Sequence, residues 1–283
     1  MLKLAALLFL VPLTLFAADG VAPAVDVLPL FELGFGVGSS YHPHYPGSDQ
    51  SRLDTLPFPY GVYRGKVLYA DRRGNARARL LRNDIWELSL SGGGGFPIKS
   101  TENLARTGMQ DLDWMGQIGP RVLVRLFELS RGQTLRLGLP FRAVMTSFDF
   151  KTFKHRGFVY APELIFSHPR FYSEDVNLFA VATVSAADDN FMQYVYGVSV
   201  DDATATRAQF DAKKGYFNSS VSVGLSIDTF GGRLRFMPVG SLTSLYGASN
   251  EESPLMKTRT NLTLGLVVIP ILYHSDRLVP AED

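Results

Sequence analysis

The chain has no cysteine among its 283 residues. That excludes a disulfide scaffold, a thiolate metal site and a lipid-modified N-terminal cysteine. It also lacks a surplus of either charge. Lys and Arg number 28 against 27 Asp and Glu, and loss of Lys3 with a leader makes the two equal. A nucleic-acid binder carries a basic surplus gathered on one face. The densest basic group here, Arg72 to Arg82, is scattered among turn and strand residues. Beyond the N-terminal leader, no apolar run reaches the ~18 residues of a membrane helix. The longest, Leu264 to Leu272, is broken by Gly265 and Pro270.

What the chain does have is 46% hydrophobic residues, enough for a large core or a wide lipid-facing belt. Residues 1 to 18 read as a secretory signal peptide. Lys3 supplies the positive start, Leu4 to Phe16 the apolar stretch, and Ala17, Ala18, Gly20, Ala22 and Ala24 the small residues of a cleavage region. Cleavage after Ala18 is the first choice. The rival is an N-terminal anchor, for which the apolar stretch is short of a ~20-residue span. The remainder, residues 19 to 283, is exported, either as a periplasmic or secreted protein or as a membrane barrel.

Alternation decides between these. Phe31, Leu33, Phe35 and Val37 point one way, and Glu32, Gly34, Gly36 and Gly38 the other. The same two-faced pattern recurs in Trp86 to Ser91, Arg121 to Leu126, Thr134 to Ala143, Val176 to Ala182, Val221 to Asp228 and Leu262 to Val268. Weaker strands are read at Pro59 to Ala70, Asn75 to Leu81, Phe158 to Ser167, Phe191 to Val200 and Arg233 to Leu245. Turn signals such as Arg73-Gly74-Asn75, Arg131-Gly132 and Phe230-Gly231-Gly232 separate the runs. An apolar outside with a small, polar inside marks a strand in a membrane barrel. The run ends are aromatic, among them Tyr41, Tyr45, Tyr60, Trp86, Phe96, Tyr172 and Tyr196, which fits a headgroup-level belt. The fold class read is therefore all-β: a transmembrane antiparallel up-and-down β-barrel of about 12 strands, an even number being the rule. Ser100 to Trp114 reads as a loop with a helical turn, Asp201 to Lys214 as a short helix, and 274 to 283 as a polar C-terminal tail.

No catalytic, cofactor or metal site emerges. His42, His44, Ser48 and Asp49 include the residue types of a nucleophile triad, and His42-Pro43-His44 those of a metal pair. A triad needs serine, histidine and carboxylate in one hydrogen-bonded line, and no third metal ligand has a convincing spacing. The simpler reading is a Pro/Gly-rich loop. Gly92 to Gly95 precedes no Lys-Ser/Thr pair and is no phosphate loop. Glu32, Arg121, Arg125, Arg136, Arg142 and Glu163 are predicted to face the lumen, with Glu87 and Asp228 as further counter-charges. They would form either a solute-selecting constriction or a salt-bridged filling of a narrow barrel; the second reading is preferred.

Several blocks also carry a family resemblance. Tyr45-Pro46-Gly47-Ser48-Asp49-Gln50-Ser51, Pro57-Phe-Pro-Tyr60 and Tyr63-Arg64-Gly65 resemble the signature of the MipA/OmpV family, MltA-interacting protein and its relatives. Arg106 to Met109, Asp111 to Asp113, Ile118 to Pro120, Tyr194 to Ser199, Lys214-Gly215 and Ser253 to Leu255 resemble its later blocks in order. The resemblance implies a barrel in the outer membrane of a Gram-negative bacterium and no enzymatic activity. It further implies a scaffold for envelope proteins, with a lytic transglycosylase and a penicillin-binding protein as partners. Other relatives are similar to adhesins, osmotic-response proteins or small-solute pores. Tyr45 to Gln50 then becomes a candidate interaction loop. One departure is the C-terminus: such barrels end on an aromatic residue, whereas the last strand here is read as stopping near Tyr273.

Overall fold

The computed structural model describes residues 27–64, 68–70, 76–83, 85–129 and 132–280. The leader read at residues 1 to 18 lies outside them. The strands are β1 (Val27–Pro29), β2 (Phe31–Pro43), β3 (Ser51–Arg64), β4 (Leu68–Ala70), β5 (Ala76–Arg82), β6 (Trp86–Gly95), β7 (Trp114–Glu128) and β8 (Thr134–Ser147). They continue with β9 (Lys154–Tyr160), β10 (Glu163–His168), β11 (Val176–Ala187), β12 (Gly215–Thr229), β13 (Leu234–Ser244), β14 (Thr260–His274) and β15 (Leu278–Pro280). Among the described residues one α-helix, α1 (Asp189–Tyr196), lies between β11 and β12, and two short 3-10 turns, Ser100–Glu102 and Leu104–Arg106, lie between β6 and β7.

Chain neighbours pair antiparallel, and the pairing runs round in a ring. β14 returns to β2, with Leu264 opposite Tyr41 and Val268 opposite Val37. At the far side β8 pairs with both β9 and β10, and β11 pairs with the same two. β9 and β10 are thus halves of one wall strand, interrupted at Ala161-Pro162. The 13-stranded sheet, with those two sharing a position, makes a wall of twelve. β2, β7, β8, β12 and β14 have 13 to 15 residues, longer than the ~9–11 that a tilted strand needs to cross a bilayer.

The two faces meet different surroundings. Leu33, Phe35 and Val37 on β2, Val221 and Val223 on β12, and Leu262, Leu264 and Leu266 on β14 are all exposed on the outer surface. Phe141 on β8 is 48% exposed. A protein dissolved in water would bury such a belt; hydrocarbon explains it. The opposite faces are buried: Glu32, Arg121, Arg142, Glu163, Ser222, Arg235 and Asn261 all point into the barrel.

The barrel ends are unlike. At the end holding β1 and β15 the links are short, such as the turn at 230–233. At the other end long segments, 44–50, 96–113, 148–153, 188–214 and 245–259, fold over the mouth as a cap. The reading at Phe191 to Val200 is corrected here: this stretch is α1, not a strand. Phe191, Met192, Val195 and Tyr196 form its buried face, and Asp188 caps it by accepting from the Phe191 amide at 3.0 Å. The helix expected at Asp201 to Lys214 is absent; Val198–Phe210 and Thr204–Arg207 bridges hold that segment instead. β3 begins at Ser51, so the first cap loop is confined to 44–50. The tail pairs back, with Val27 opposite Pro280 and Pro29 opposite Leu278. The aromatic belt also needs correction, because Tyr45, Tyr60, Phe96 and Tyr196 are buried inside while Tyr41, Trp86 and Tyr172 remain outside.

A charge on the outer face should be costly. Leu266→Arg is expected to lose about 2–4 kcal/mol of folding stability in vesicles, the range for a cation near the bilayer midplane. Ser241→Ala, which removes the lumen hydrogen bond from Ser222, should lose about 1 kcal/mol. Urea titration of both variants in one lipid measures the difference.

Candidate functional site

The interior has three levels. Near the β1–β15 end an apolar cluster fills the lumen: Tyr60, Val62, Leu123, Ile165, Phe179 and Met237, with Val267 and Ile269. Arg235 crosses beside it, donating to Asp228 at 2.6 and 3.1 Å and to the Tyr60 hydroxyl at 2.7 Å. Arg235 was absent from the lumen charges read in the sequence. Its signal was the hairpin register that sets Asp228 opposite it across the 230–233 turn.

The second level is a polar chamber of about 300 Å3. β12, β13 and β14 line one side with Ser220, Ser222, Ser241, Thr243 and Thr263; Arg142 and Glu163 line the other. Arg121 donates to Glu163 at 3.3 Å, both nearly fully buried. Gly138 leaves room for that carboxylate, since a Cβ there would stand 2.6 Å from Glu163 Oε1. Arg142 donates through Nε to Ser91 at 3.1 Å.

The other predicted lumen charges are distributed more widely. Glu32 is buried on β2. Arg125 sits at the wall's edge and pairs with Glu128 at 3.2 Å. Arg136 is half-buried on β8, two residues before Gly138.

The cap is the third level, and Tyr45 to Gln50 is its keystone. The Tyr45 hydroxyl donates to the Leu255 carbonyl at 2.8 Å, and the Tyr196 hydroxyl to the Pro46 carbonyl at 2.7 Å. The Gly47 amide donates to Asn261 Oδ1 at 2.7 Å, while Asn261 Nδ2 donates to the Ser48 carbonyl at 2.9 Å. The Gly47 carbonyl accepts from Lys257 and Thr258. Gly47 has φ of 91°, and a Cβ there would come 2.9 Å from Met256, so no other residue fits without strain. Gln50 accepts from the Leu104 amide at 2.6 Å. Arg106 stacks over Tyr45 and donates to the Val195 carbonyl at 3.0 Å. Tyr45, Gly47 and Ser48 are buried; within this stretch Asp49 faces out.

This geometry does not assemble a triad. Ser48 donates to the Gln50 carbonyl and accepts from Asn103, which also donates to His44 Nδ1 at 3.1 Å. His42 pairs instead with Asp54 at 2.9 Å and stacks on Phe96. Among the described residues, no three His, Asp or Glu side chains are gathered for a metal ion. Burial and Arg52 push His44 below the usual histidine range, which suits a ring nitrogen that accepts from Asn103.

A family model described as MltA-interacting protein MipA matches residues 35–269. The chain belongs to the MipA family. Closed barrels with an apolar belt are the outer-membrane solution to spanning a bilayer with strands, and this MipA-family protein is an outer-membrane β-barrel. No curated protein sequence matches it. Its fold is similar to a bacterial polysaccharide outer membrane secretin, with 9% identity and a TM-score of 0.43 over 86% of this chain and 99% of that one. It is similar to the NanC porin at 9% identity and 0.39, over 84% and 100%. Against OprB of Pseudomonas putida the values are 7% and 0.33, over 85% and 94%.

The cap should loosen in alkali. Burial pushes the Tyr45 hydroxyl up to about 12, against the opposing pull of the Arg106 guanidinium. The folded cap therefore holds this proton more tightly than the unfolded chain. Its contribution is complete below the ordinary tyrosine value of 10.0 and is lost as pH rises through about 12. Amide exchange at Gly47 and Lys257 should accelerate across that window, and Tyr45→Phe should exchange faster already at neutral pH. Gly47→Ala should also open the cap to protease at neutral pH while the barrel remains folded.

Proposed function

We propose that this protein is a non-enzymatic scaffold of the outer membrane, holding partners of the murein machinery, a lytic transglycosylase and a penicillin-binding protein. The observation that carries the reading is a lumen occupied at two levels, by the apolar cluster around Phe179 and Met237 and by the cap over the mouth. Such an interior suits a structural role better than steady solute flow. The description of the family as MltA-interacting supports the class of partner.

Outer-membrane barrels have short periplasmic turns and long outer loops. By that rule the β1–β15 end faces the periplasm, where murein enzymes work. Phe171, Tyr172 and Phe230 are exposed on the turns there, with Tyr172 at 90%. Exposed aromatic side chains of this kind are the usual anchors of a protein interface.

In planar bilayers the protein should give no steady conductance. A photo-crosslinker at Tyr172 or Phe230 should capture a murein enzyme in intact cells, and one at Asp49 on the cap should not. A steady conductance whose ion selectivity reverses on Arg142→Glu would replace the scaffold by a small-solute pore.

A further inference from the structure

Among the described residues, the ladder between β3 and β6 is interrupted. β3 pairs with β2 along its whole length, but on its other edge with β4 at Tyr63 and Arg64 alone among the described residues. β6 pairs with β5 no further than Ser89. Between β3 from Ser51 to Val62 and β6 from Leu90 to Gly95 no described strand intervenes. The ladder fixes which backbone groups face this interruption. Pro57 and Pro59 pair with Val37 and Phe35 but have no N–H to give, so they occupy the non-hydrogen-bonded positions of the β2–β3 ladder. Their backbone groups therefore point to the free edge. By the same logic Leu90 faces away from its partner Pro120, and Gly92 and Gly94 follow it toward the free edge of β6. Prolines on a free edge block the addition of another strand.

The lining of the polar chamber includes Gly94, Gly95 and Phe96 at the end of β6. Within it Arg142 is exceptional. It is 5% exposed, and that exposure is to the chamber it lines. Nε is engaged by Ser91, while no described residue accepts from the terminal Nη atoms. The neighbouring acid, Glu163, is bonded to Arg121 instead. A guanidinium so placed presents a planar pair of donors matched to a carboxylate or phosphate. Across the chamber from it stand Ser220, Ser222, Ser241, Thr243 and Thr263, which can bond hydroxyl groups in either direction. The volume is at the lower end of small-molecule sites, about 300–1,000 Å3.

We propose that the chamber binds an oxyanion on a hydroxyl-rich carrier, a phosphorylated polyol, with Arg142 holding the anion. The carrier could be a lipid headgroup or a free polyol phosphate.

The full-length protein in neutral detergent would be titrated calorimetrically with glycerol 3-phosphate. In parallel it would be placed in nanodiscs containing phosphatidylglycerol and phosphatidylethanolamine, and retained lipid read by native mass spectrometry. Binding of the free phosphate identifies a soluble ligand. Selective retention of phosphatidylglycerol without it identifies a lipid ligand. In either case Arg142→Gln should weaken binding at least tenfold and Arg142→Lys less, while Arg233→Gln at the opposite barrel end has no effect. Arg142→Gln leaves the Arg121–Glu163 pair intact, and heat-modified gel mobility verifies its folding. Thr243→Trp fills the chamber without changing charge and should abolish binding too. Binding of neither probe, or equal binding by the wild type and Arg142→Gln, overturns the proposal.

Discussion

Backbone hydrogen bonding inside a bilayer is the constraint from which the rest of this structure follows. Hydrocarbon offers nothing to an N–H or C=O, so a spanning sheet must satisfy itself by closing. The ring from β2 through β14 does so. Closure then assigns every second side chain to lipid and every other one to the lumen. The Leu262, Leu264, Leu266 row and the Asn261, Thr263, Gly265 row are two outcomes of a single pleat. A lumen this narrow must also be filled or hydrated. The chain fills one half with Phe179, Ile165 and Met237, hydrates the middle, and seals the far mouth with α1 and the Tyr45 loop.

The filling explains the distribution of charge. A buried cation without a partner costs several kcal/mol; Arg235 takes its carboxylate from the adjacent strand β12, and Arg121 on β7 takes Glu163 from β10, across β8. The wall glycines serve the same end. Gly138 is the position over which Glu163 lies, so acid and glycine act as one unit across the β8–β10 ladder.

The strands were legible in the sequence because alternate residues on them meet two solvents, and composition records that difference directly. The count of twelve agrees only because two misreadings cancel: Phe191 to Val200 is α1, and Pro59 to Ala70 spans the end of β3 and all of β4. The cap was less legible, because its segments are buried against one another and alternation carries no information there. Phe191, Met192, Val195 and Tyr196 stand at i, i+1, i+4 and i+5, the spacing of one helix face and not of a strand, and Asp188 as a cap was a second helix signal. The Tyr45 to Gln50 motif was visible as a block, but its work was not. Its partners Asn261, Leu255 and Tyr196 are distant in the chain, and no local spacing encodes them. The lumen charges show the same division. Parity sets both Arg121 and Arg142 inward, yet nothing local says which of them receives Glu163.

Among the described residues, the interrupted ladder between β3 and β6 looks at first like a breach of the rule that closes the barrel. Its composition reconciles the two. The β4–β5 hairpin joins β3 to the ring at Tyr63 and Arg64, near the short-turn end, and the free edges run from there toward the cap. Pro57 and Pro59 on the β3 edge pair with Val37 and Phe35 of the lipid-facing belt, so this part of it lies at hydrocarbon depth. At Pro57 and Pro59 the chain has already removed two donors from the edge that would otherwise lack acceptors, and Gly92 and Gly94 stand on the opposing edge. At the cap end, Arg52 at the start of β3 meets Glu102 from the segment that follows β6, at 3.1 Å. An ion pair on the rim, prolines along one side and glycines along the other together allow an interrupted ladder where a plain strand edge would carry unsatisfied groups or recruit another strand.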